Sequence, residues 1–186
     1  MMKTFRNIFA ILLAVFAFSL INTSAQDTAS RNTQPANGIE QQIFKEINGL
    51  PRYGVFDHIT FEVNGGEVVL GGKVASLGTR GAAENVVKKI PGVTSVVNNI
   101  TDLPPSPSDN RIRRSILRSF ANSPALGVYL REPRPSVRIV VENGHVALEG
   151  YVNNRSAADT MNILANGVSG VFHVDNNLIV DNDRSS

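Results

Sequence analysis

Apolar and polar residues alternate along two stretches of the chain, and both stretches follow the same plan. Each opens with an Asn-Gly turn and continues into a segment in which every second residue is apolar, which is typical of a half-buried strand. The paired positions are Gly66 and Gly144, Val68 and Val146, Leu70 and Leu148, Gly72 and Gly150, and Val74 and Val152. The register continues through Gly92 and Gly170, Val96 and Val174, Asn98 and Asn176, and Ile100 and Leu178. The chain therefore contains an internal repeat of one small domain.

The first copy predicts five elements in the order α-β-β-α-β. Apolar residues at helical spacing indicate the helices, and alternating residues indicate the strands. Because the last strand follows a helical crossover, we expect it to lie parallel to the strand before that helix. We predict helices over 38–48 and 77–90, the second capped by Ser76, and strands through 59–63, 67–74 and 93–102.

Some repeated glycine and asparagine residues have predicted structural roles. Gly72 lies on the inward face of its strand, so another backbone, expected to be that of a helix, can approach closely. Asn98 faces the same way as Val96 and Ile100, and a buried amide needs hydrogen bonds, so we expect it to bind a loop backbone. The full set of predicted structural residues is Gly66, Gly72, Gly92, Asn98, Gly144, Gly150, Gly170 and Asn176.

The second copy repeats the plan with a longer loop at 131–135. We predict a helix that begins after a cap at Ser108 or Asp109, strands over 136–142, 145–152 and 171–180, and a helix over 155–166 capped by Asn154. Two units follow, at 37–103 and 109–181, joined by a proline-rich linker at 104–108 and followed by a polar tail at 182–186. The predicted fold class is α+β, with two tandem αββαβ units, each a three-stranded mixed sheet with two helices on one face.

The N-terminus predicts export from the cytoplasm. Lys3 and Arg6 precede an apolar run from Ile8 to Ile21, and small residues end at Ala25. This is the layout of a secretory signal peptide over residues 1–25, and the run is shorter than the roughly 20 residues of a membrane-spanning helix. The polar residues 26–36 are expected to form a disordered leader. The chain has no cysteine, which excludes disulfides and thiolate chemistry.

Removal of residues 1–25 changes the charge balance. The whole chain has 18 basic and 16 acidic residues. The predicted signal peptide contains two of the bases and none of the acids, so the remaining chain has no net charge. The charge balance therefore gives no support for a nucleic-acid partner.

The repeated residues resemble those of the BON domain family. The resemblance lies in Leu50-Pro51, the segment Tyr53-Gly54-Val55-Phe56-Asp57, and the spaced Gly and Val positions from Gly66 to Ile100. It covers the first copy almost fully and the second from Ile112 to Val180. The resemblance implies an αββαβ fold, a bacterial envelope location and binding to phospholipid surfaces. Two copies behind a signal peptide resemble the osmotically induced and transport-associated periplasmic members, and the family provides no catalytic residues.

No pattern predicts catalysis, a metal or another cofactor. The three histidines, His58, His145 and His173, occupy non-equivalent positions and have no second ligand at metal-binding spacing. Gly71-Gly72-Lys73 fails as a phosphate loop because Glu67 stands where that motif needs glycine. We therefore expect a binding protein rather than an enzyme.

A run of arginines in the second copy is the main candidate for binding. Arg111, Arg114 and Arg118 fall on one face of the predicted helix, and Arg113 lies in the same run. Basic side chains attract a protein to anionic lipid by about 1 kcal/mol each near the surface. The candidate lipid-binding residues are Arg111, Arg113, Arg114 and Arg118. The alternative is a solvated helix face that keeps the protein soluble.

A second candidate surface lies on the sheet face away from the helices. It carries Val140, Ala147, Tyr151 and Ile179, and Arg131 and Arg134 lie in the adjoining loop. These apolar residues either cluster against a partner or the other domain, or are scattered in the ordinary way. The favoured function is peripheral association with anionic phospholipid in the periplasm, without spanning the membrane. The alternative is a protein-interaction or chaperone-like envelope module.

Overall fold

The computed structural model describes residues 38–131 and 134–181. The predicted signal peptide, the leader and the polar tail lie outside the described residues, so these three interpretations remain predictions. Two repeated units account for the described chain, each with helices and a mixed sheet. The predicted α+β class is confirmed.

The first unit follows the predicted order. Strand β1 is antiparallel to β2, and β2 is parallel to both β3 and β4. The single third strand that the sequence predicted is divided into β3 and β4, and between them Asn98 Oδ1 accepts the Ile100 amide at 3.2 Å. The elements are α1 (Gly38–Asn48), β1 (His58–Asn64), β2 (Glu67–Val74), α2 (Thr79–Val87), β3 (Ser95–Asn98) and β4 (Thr101–Asp102).

Helix α2 is shorter than predicted, and Ser76 is not its cap. Gly78 holds the N-cap position at φ +85°, a left-handed conformation that favours glycine. The Ser76 hydroxyl instead donates to Asp57 Oδ2 at 2.9 Å. The segment after β2 is therefore held by a buried carboxylate, and the helix starts only at Thr79.

The second unit has the same topology, with β5 antiparallel to β6 and β6 parallel to β7. Ser106 caps α3, rather than Ser108 or Asp109, by accepting the Asp109 amide at 3.2 Å. Asn154 caps α4 as predicted, accepting the Ala157 amide at 2.8 Å. The elements are α3 (Pro107–Ala121), a 3-10 helix (Gly127–Leu130), β5 (Val137–Glu142), β6 (His145–Val152), α4 (Arg155–Asn166) and β7 (His173–Val180).

Each unit buries one face of its sheet against its two helices. The first core joins Ile43 and Ile47 of α1 to Leu70 of β2, and the second joins Phe120 of α3 to Leu148 of β6. Ile163 of α4 lies away from this core and is 69% exposed. No helix within residues 38–131 and 134–181 covers the opposite sheet faces, which leaves them available to line other surfaces.

The repeated asparagines and glycines connect these layers. Asn98 and Asn176 each donate at 3.1 Å to a carbonyl of the crossover helix, that of Arg80 or Ala158, so the acceptor is a helix rather than the expected loop. At Gly72 the close backbone belongs to the neighbouring strand, where an added Cβ would lie 2.2 Å from the His58 carbonyl oxygen. The predicted approach of a helix at Gly72 is therefore wrong.

Candidate functional site

Three exposed arginines form a row along α3. Arg111, Arg114 and Arg118 are exposed, while Ile112 and Ile116 on the opposite side are buried. No carboxylate in the described ranges forms an ion pair with any of the three, and Arg118 donates only to Ser115 Oγ at 3.3 Å. By contrast, Arg155 of α4 is paired with Asp159. We call Arg111, Arg114 and Arg118 the arginine row.

Arg113, which the sequence placed with the lipid-binding candidates, lies in the interior and is only 3% exposed. Its guanidinium donates to Asn110 Oδ1 at 2.7 Å and to the Val141 carbonyl of β5. Burial lowers the pKa of Arg113, although Asp109 opposes that effect. A side chain held between α3 and the sheet cannot reach a membrane, so Arg113 is not part of a lipid-contacting surface.

An exposed aromatic ring that the sequence analysis missed lies at the N-terminal end of the arginine row. Phe172 is 80% exposed and lines a surface depression of about 380 Å³ together with Arg111. The equivalent position of the first unit is Thr94, two residues after the matching glycine. Comparison of the two copies could have revealed this difference, since only the second places an aromatic residue there.

The buried Asp109 fixes this end of α3. Its carboxylate accepts the amides of Gly144 at 2.9 Å and Asn143 at 3.0 Å. Burial by itself would raise the pKa of Asp109, but these amides and the Ser106 hydroxyl outweigh it, so the pKa lies below its ordinary value. The β5–β6 turn is thereby tied to the helix that carries the arginine row.

The outer faces of the two sheets line one cleft of about 670 Å³. From the second unit, Val140 (6% exposed) and Ile179 (37% exposed) line this cleft together with Ala147. Tyr151 and Arg134 instead line a smaller neighbouring cavity, and Arg131 is exposed. The apolar residues proposed as a partner surface thus cluster, but they face the first unit.

The first unit supplies the other wall of the cleft and several contacts. Lys73 Nζ lies 2.5 Å from Glu142 Oε2 across the two units. Arg138 of β5 donates to the Gly54 carbonyl at 2.8 Å and lies 4.3 Å from the centre of the Tyr53 ring. Val55 packs into the hydrophobic core of the second unit. The units therefore share a contact region formed around residues 53–57.

His58 is buried in this contact region, with Nε2 3.8 Å from Glu149 Oε2. Burial lowers its pKa from 6.5 to about 4, and the nearby positive charge of Arg138 acts in the same direction. The Glu149 carboxylate does not reverse this shift. His58 is therefore neutral in the folded protein at pH 7.

The lowered pKa of His58 predicts acid sensitivity. Between about pH 6.5 and about pH 4 the unfolded chain binds a proton that the folded chain does not, so stability falls as pH falls through that window. The shift corresponds to about 3 kcal/mol. We expect the free energy of unfolding of His58→Gln to fall less over this pH window than that of the wild type, as measured by urea unfolding monitored by circular dichroism. His173→Gln, at an exposed histidine, serves as the control, and equal pH dependence in the two variants would contradict the prediction.

The described residues show no arrangement for metal binding or membrane spanning. Within 38–131 and 134–181, no three His, Asp or Glu side chains are placed to hold a metal ion. No helix in those ranges is both long and apolar enough to cross a membrane. The features that remain are surfaces for binding: the arginine row with Phe172, and the cleft.

Comparison with known proteins identifies the family. The family model described as "BON domain" matches residues 36–102 and 108–182. A solved structure of the C-terminal domain of CdsD, a type III secretion system protein of Chlamydia trachomatis, is 16% identical and covers 79% of this chain and 99% of its own, with a TM-score of 0.28. A second CdsD structure, also 16% identical, covers 75% of this chain and 90% of its own, with a TM-score of 0.26.

No curated protein matches the chain. The family match extends over both repeated units and includes the described helices and strands except Pro107, the first residue of α3. The chain belongs to the BON domain family, of which it carries two tandem copies.

Proposed function

We propose that this protein is a non-enzymatic envelope protein that associates peripherally with anionic phospholipid through the second BON domain. The observation that carries the proposal is the arginine row, three exposed guanidinium groups on one helix face without ion-pair partners in the described chain. The family's association with the bacterial envelope and the predicted signal peptide support a periplasmic location.

The arginine row suits a phosphate-rich surface. A guanidinium group remains charged when partly desolvated and binds phosphate through two parallel hydrogen bonds. Three such groups give an attraction of about 3 kcal/mol at an anionic membrane. This is a reversible association, weak enough to be sensitive to salt.

Phe172 extends the same surface with an apolar group. Its ring lies beside Arg111 at one end of the row and is largely exposed to solvent. Burying a phenylalanine side chain contributes about 1.5 to 3 kcal/mol. We infer that Phe172 enters the interfacial layer of the lipid while the arginines contact the head groups.

The described part of the first BON domain has no equivalent of the arginine row with Phe172. Its first helix, α1, carries Glu40, Lys45 and Glu46, so charges of both signs are mixed on it. Thr94 stands where the second domain has Phe172. The first domain therefore acts in this proposal as the structural support of the second.

Flotation with liposomes tests the proposal. Residues 26–186, which contain every described element, are expected to float with anionic vesicles at low salt, and not with neutral vesicles or at high salt. The triple variant Arg111→Gln/Arg114→Gln/Arg118→Gln is expected to bind about a hundredfold more weakly, since it loses about 3 kcal/mol. Phe172→Ser should weaken binding without removing its salt dependence.

A matched control separates the arginine row from net charge. Lys45→Gln/Lys88→Gln/Arg155→Gln removes the same charge from α1, from the C-cap of α2 and from α4, and two of these residues, Lys88 and Arg155, form ion pairs in the native fold. If this control loses as much binding as the arginine variant, or if the wild type does not float at all, the proposal that the arginine row binds anionic lipid is wrong. Salt-insensitive recovery of an envelope protein would then favour the alternative, a protein-interaction module.

A further inference from the structure

The cleft between the two BON domains has the dimensions and walls of a ligand-binding site. Its volume of about 670 Å³ falls within the roughly 300 to 1,000 Å³ of small-molecule pockets. Val140, Ala147 and Ile179 give it an apolar wall, and Thr60 and Gly72 face them from the first domain. An apolar group placed there would be shielded from water by both domains.

One carboxylate in the cleft, that of Glu149, has no close cationic partner among the residues that the structure describes. Glu149 Oε1 accepts the Asn177 amide at 2.8 Å, and its other oxygen lies 3.8 Å from His58, which is neutral at pH 7. Arg138 stands opposite Glu149 in the strand register. Its guanidinium, however, donates to the Gly54 carbonyl and to Asn48 Oδ1 at 2.9 Å.

The other charged groups make the cleft negative. Lys73 is already paired with Glu142, and Asp175, which also lines the cleft, lies 3.0 Å from the exposed His173. A carboxylate or phosphate ligand would thus meet Glu149 and Asp175, while the lysine that lines the cleft is already engaged by Glu142. A cationic ligand would meet complementary charge.

We propose that the cleft binds a small amphiphilic amine, with an apolar body against Val140, Ala147 and Ile179 and its ammonium group on Glu149. The site is separate from the arginine row, and its proposal does not depend on lipid binding. Burial raises the pKa of Glu149, and an ammonium group beside it would favour the ionised carboxylate and lower that pKa again.

Three probes of equal chain length test the charge of the ligand. Octylamine, octanol and octanoate are titrated separately into residues 26–186 at neutral pH, and binding is followed by NMR chemical shifts of cleft residues and by calorimetry. We expect octylamine to bind, octanol to bind about tenfold more weakly, and octanoate to show no binding. Absence of octylamine binding, or equal binding of octanoate, would overturn the proposal.

Two variants locate the site. Glu149→Gln should weaken octylamine binding about tenfold and leave octanol binding unchanged, because a charge-assisted hydrogen bond is lost while the apolar wall remains. Ala147→Leu should weaken both probes by filling the cleft. Glu62→Gln, at an exposed carboxylate that does not line the cleft, is the control. If Glu149→Gln behaves as Glu62→Gln does, the ammonium group does not lie on Glu149 and the proposal fails.

Discussion

Asp57→Ala is expected to lower the free energy of unfolding by about 4 kcal/mol. The native carboxylate is fully buried and accepts four hydrogen bonds, from the amides of Gly54, Ala75 and Ser76 and from the Ser76 hydroxyl, at 2.7 to 3.0 Å. Its removal leaves four partly buried donors without an acceptor, and each such donor costs about 1 kcal/mol, the lower end of the range for buried groups. That loss approaches the whole stability of a small domain.

Urea unfolding followed by far-ultraviolet circular dichroism measures this effect, since the chain has no tryptophan to report it. Ser76→Ala, which removes one of the four donors, should cost about 1 kcal/mol. Asp102→Ala is the control at an exposed carboxylate paired loosely with Arg80 at 3.9 Å, and it should cost under about 1 kcal/mol. If Asp57→Ala lowered the free energy of unfolding by about as much as Asp102→Ala, the structural role given to the Asp57 hydrogen bonds would be contradicted.

The effect of Asp57 extends to the contact between the domains. Asp57 holds the Gly54 amide, and the Gly54 carbonyl accepts Arg138 of β5. The next residue, Val55, accepts the Ile139 amide at 2.7 Å and packs into the second core. The loop fixed by Asp57 is therefore the structural link between the two BON domains, and it sets the position of the cleft walls.

Repetition made most of the fold predictable from sequence. A single alternating segment is ambiguous, but two copies with the same spacing of Val68, Leu70 and Gly72 or of Val146, Leu148 and Gly150 fix both the strand and its inward face. The helices followed from apolar spacing over whole turns. Helix ends were less predictable, because they depend on side-chain hydrogen bonds that form only in the folded chain. The Ser76 hydroxyl binds Asp57 instead of capping α2, and the Ser106 hydroxyl caps α3 by accepting the Asp109 amide.

The arginine row was predictable in part. Helical spacing correctly separated Arg111, Arg114 and Arg118 from the buried face. The same spacing places Arg113 three residues before Ile116 and seven before Phe120, both of which are buried, so the pattern itself indicated burial. Its acceptor, the Val141 carbonyl, belongs to a strand far along the chain, and no local rule identifies it.

The cleft was not predictable, because it depends on how the two domains meet. Alternation placed Val140 and Ile179 on the outer sheet face, but it could not show that His58 and Lys73 lie opposite them. The pairs Lys73 with Glu142 and His58 with Glu149 each join residues from different repeats. Such long-range pairs leave no periodic signal in either copy.

Gly150→Ala is expected to cost about 4 kcal/mol of stability. Gly150 has φ +107°, and an added Cβ would lie 2.0 Å from the Ser136 carbonyl oxygen of the neighbouring chain segment. The positive φ costs about 1 to 2 kcal/mol for an L-residue, and the overlap forces a backbone shift that costs about 1 to 3 kcal/mol more. That shift also disturbs the hydrogen bond of 2.9 Å from the Tyr151 amide to the same oxygen.

Gly78→Ala separates the two contributions to that loss. Gly78 also has a positive φ, +85°, but an added Cβ there would meet nothing within 4 Å. Gly78→Ala should therefore lower the free energy of unfolding by only about 1 to 2 kcal/mol, which is the contribution of the positive φ alone. Urea unfolding of both variants measures the difference, and Gly72→Ala, with the equivalent contact in the first domain, should resemble Gly150→Ala. Equal costs at Gly78 and Gly150 would show that the close strand approach does not require glycine, since the neighbouring strand would then accommodate the methyl group.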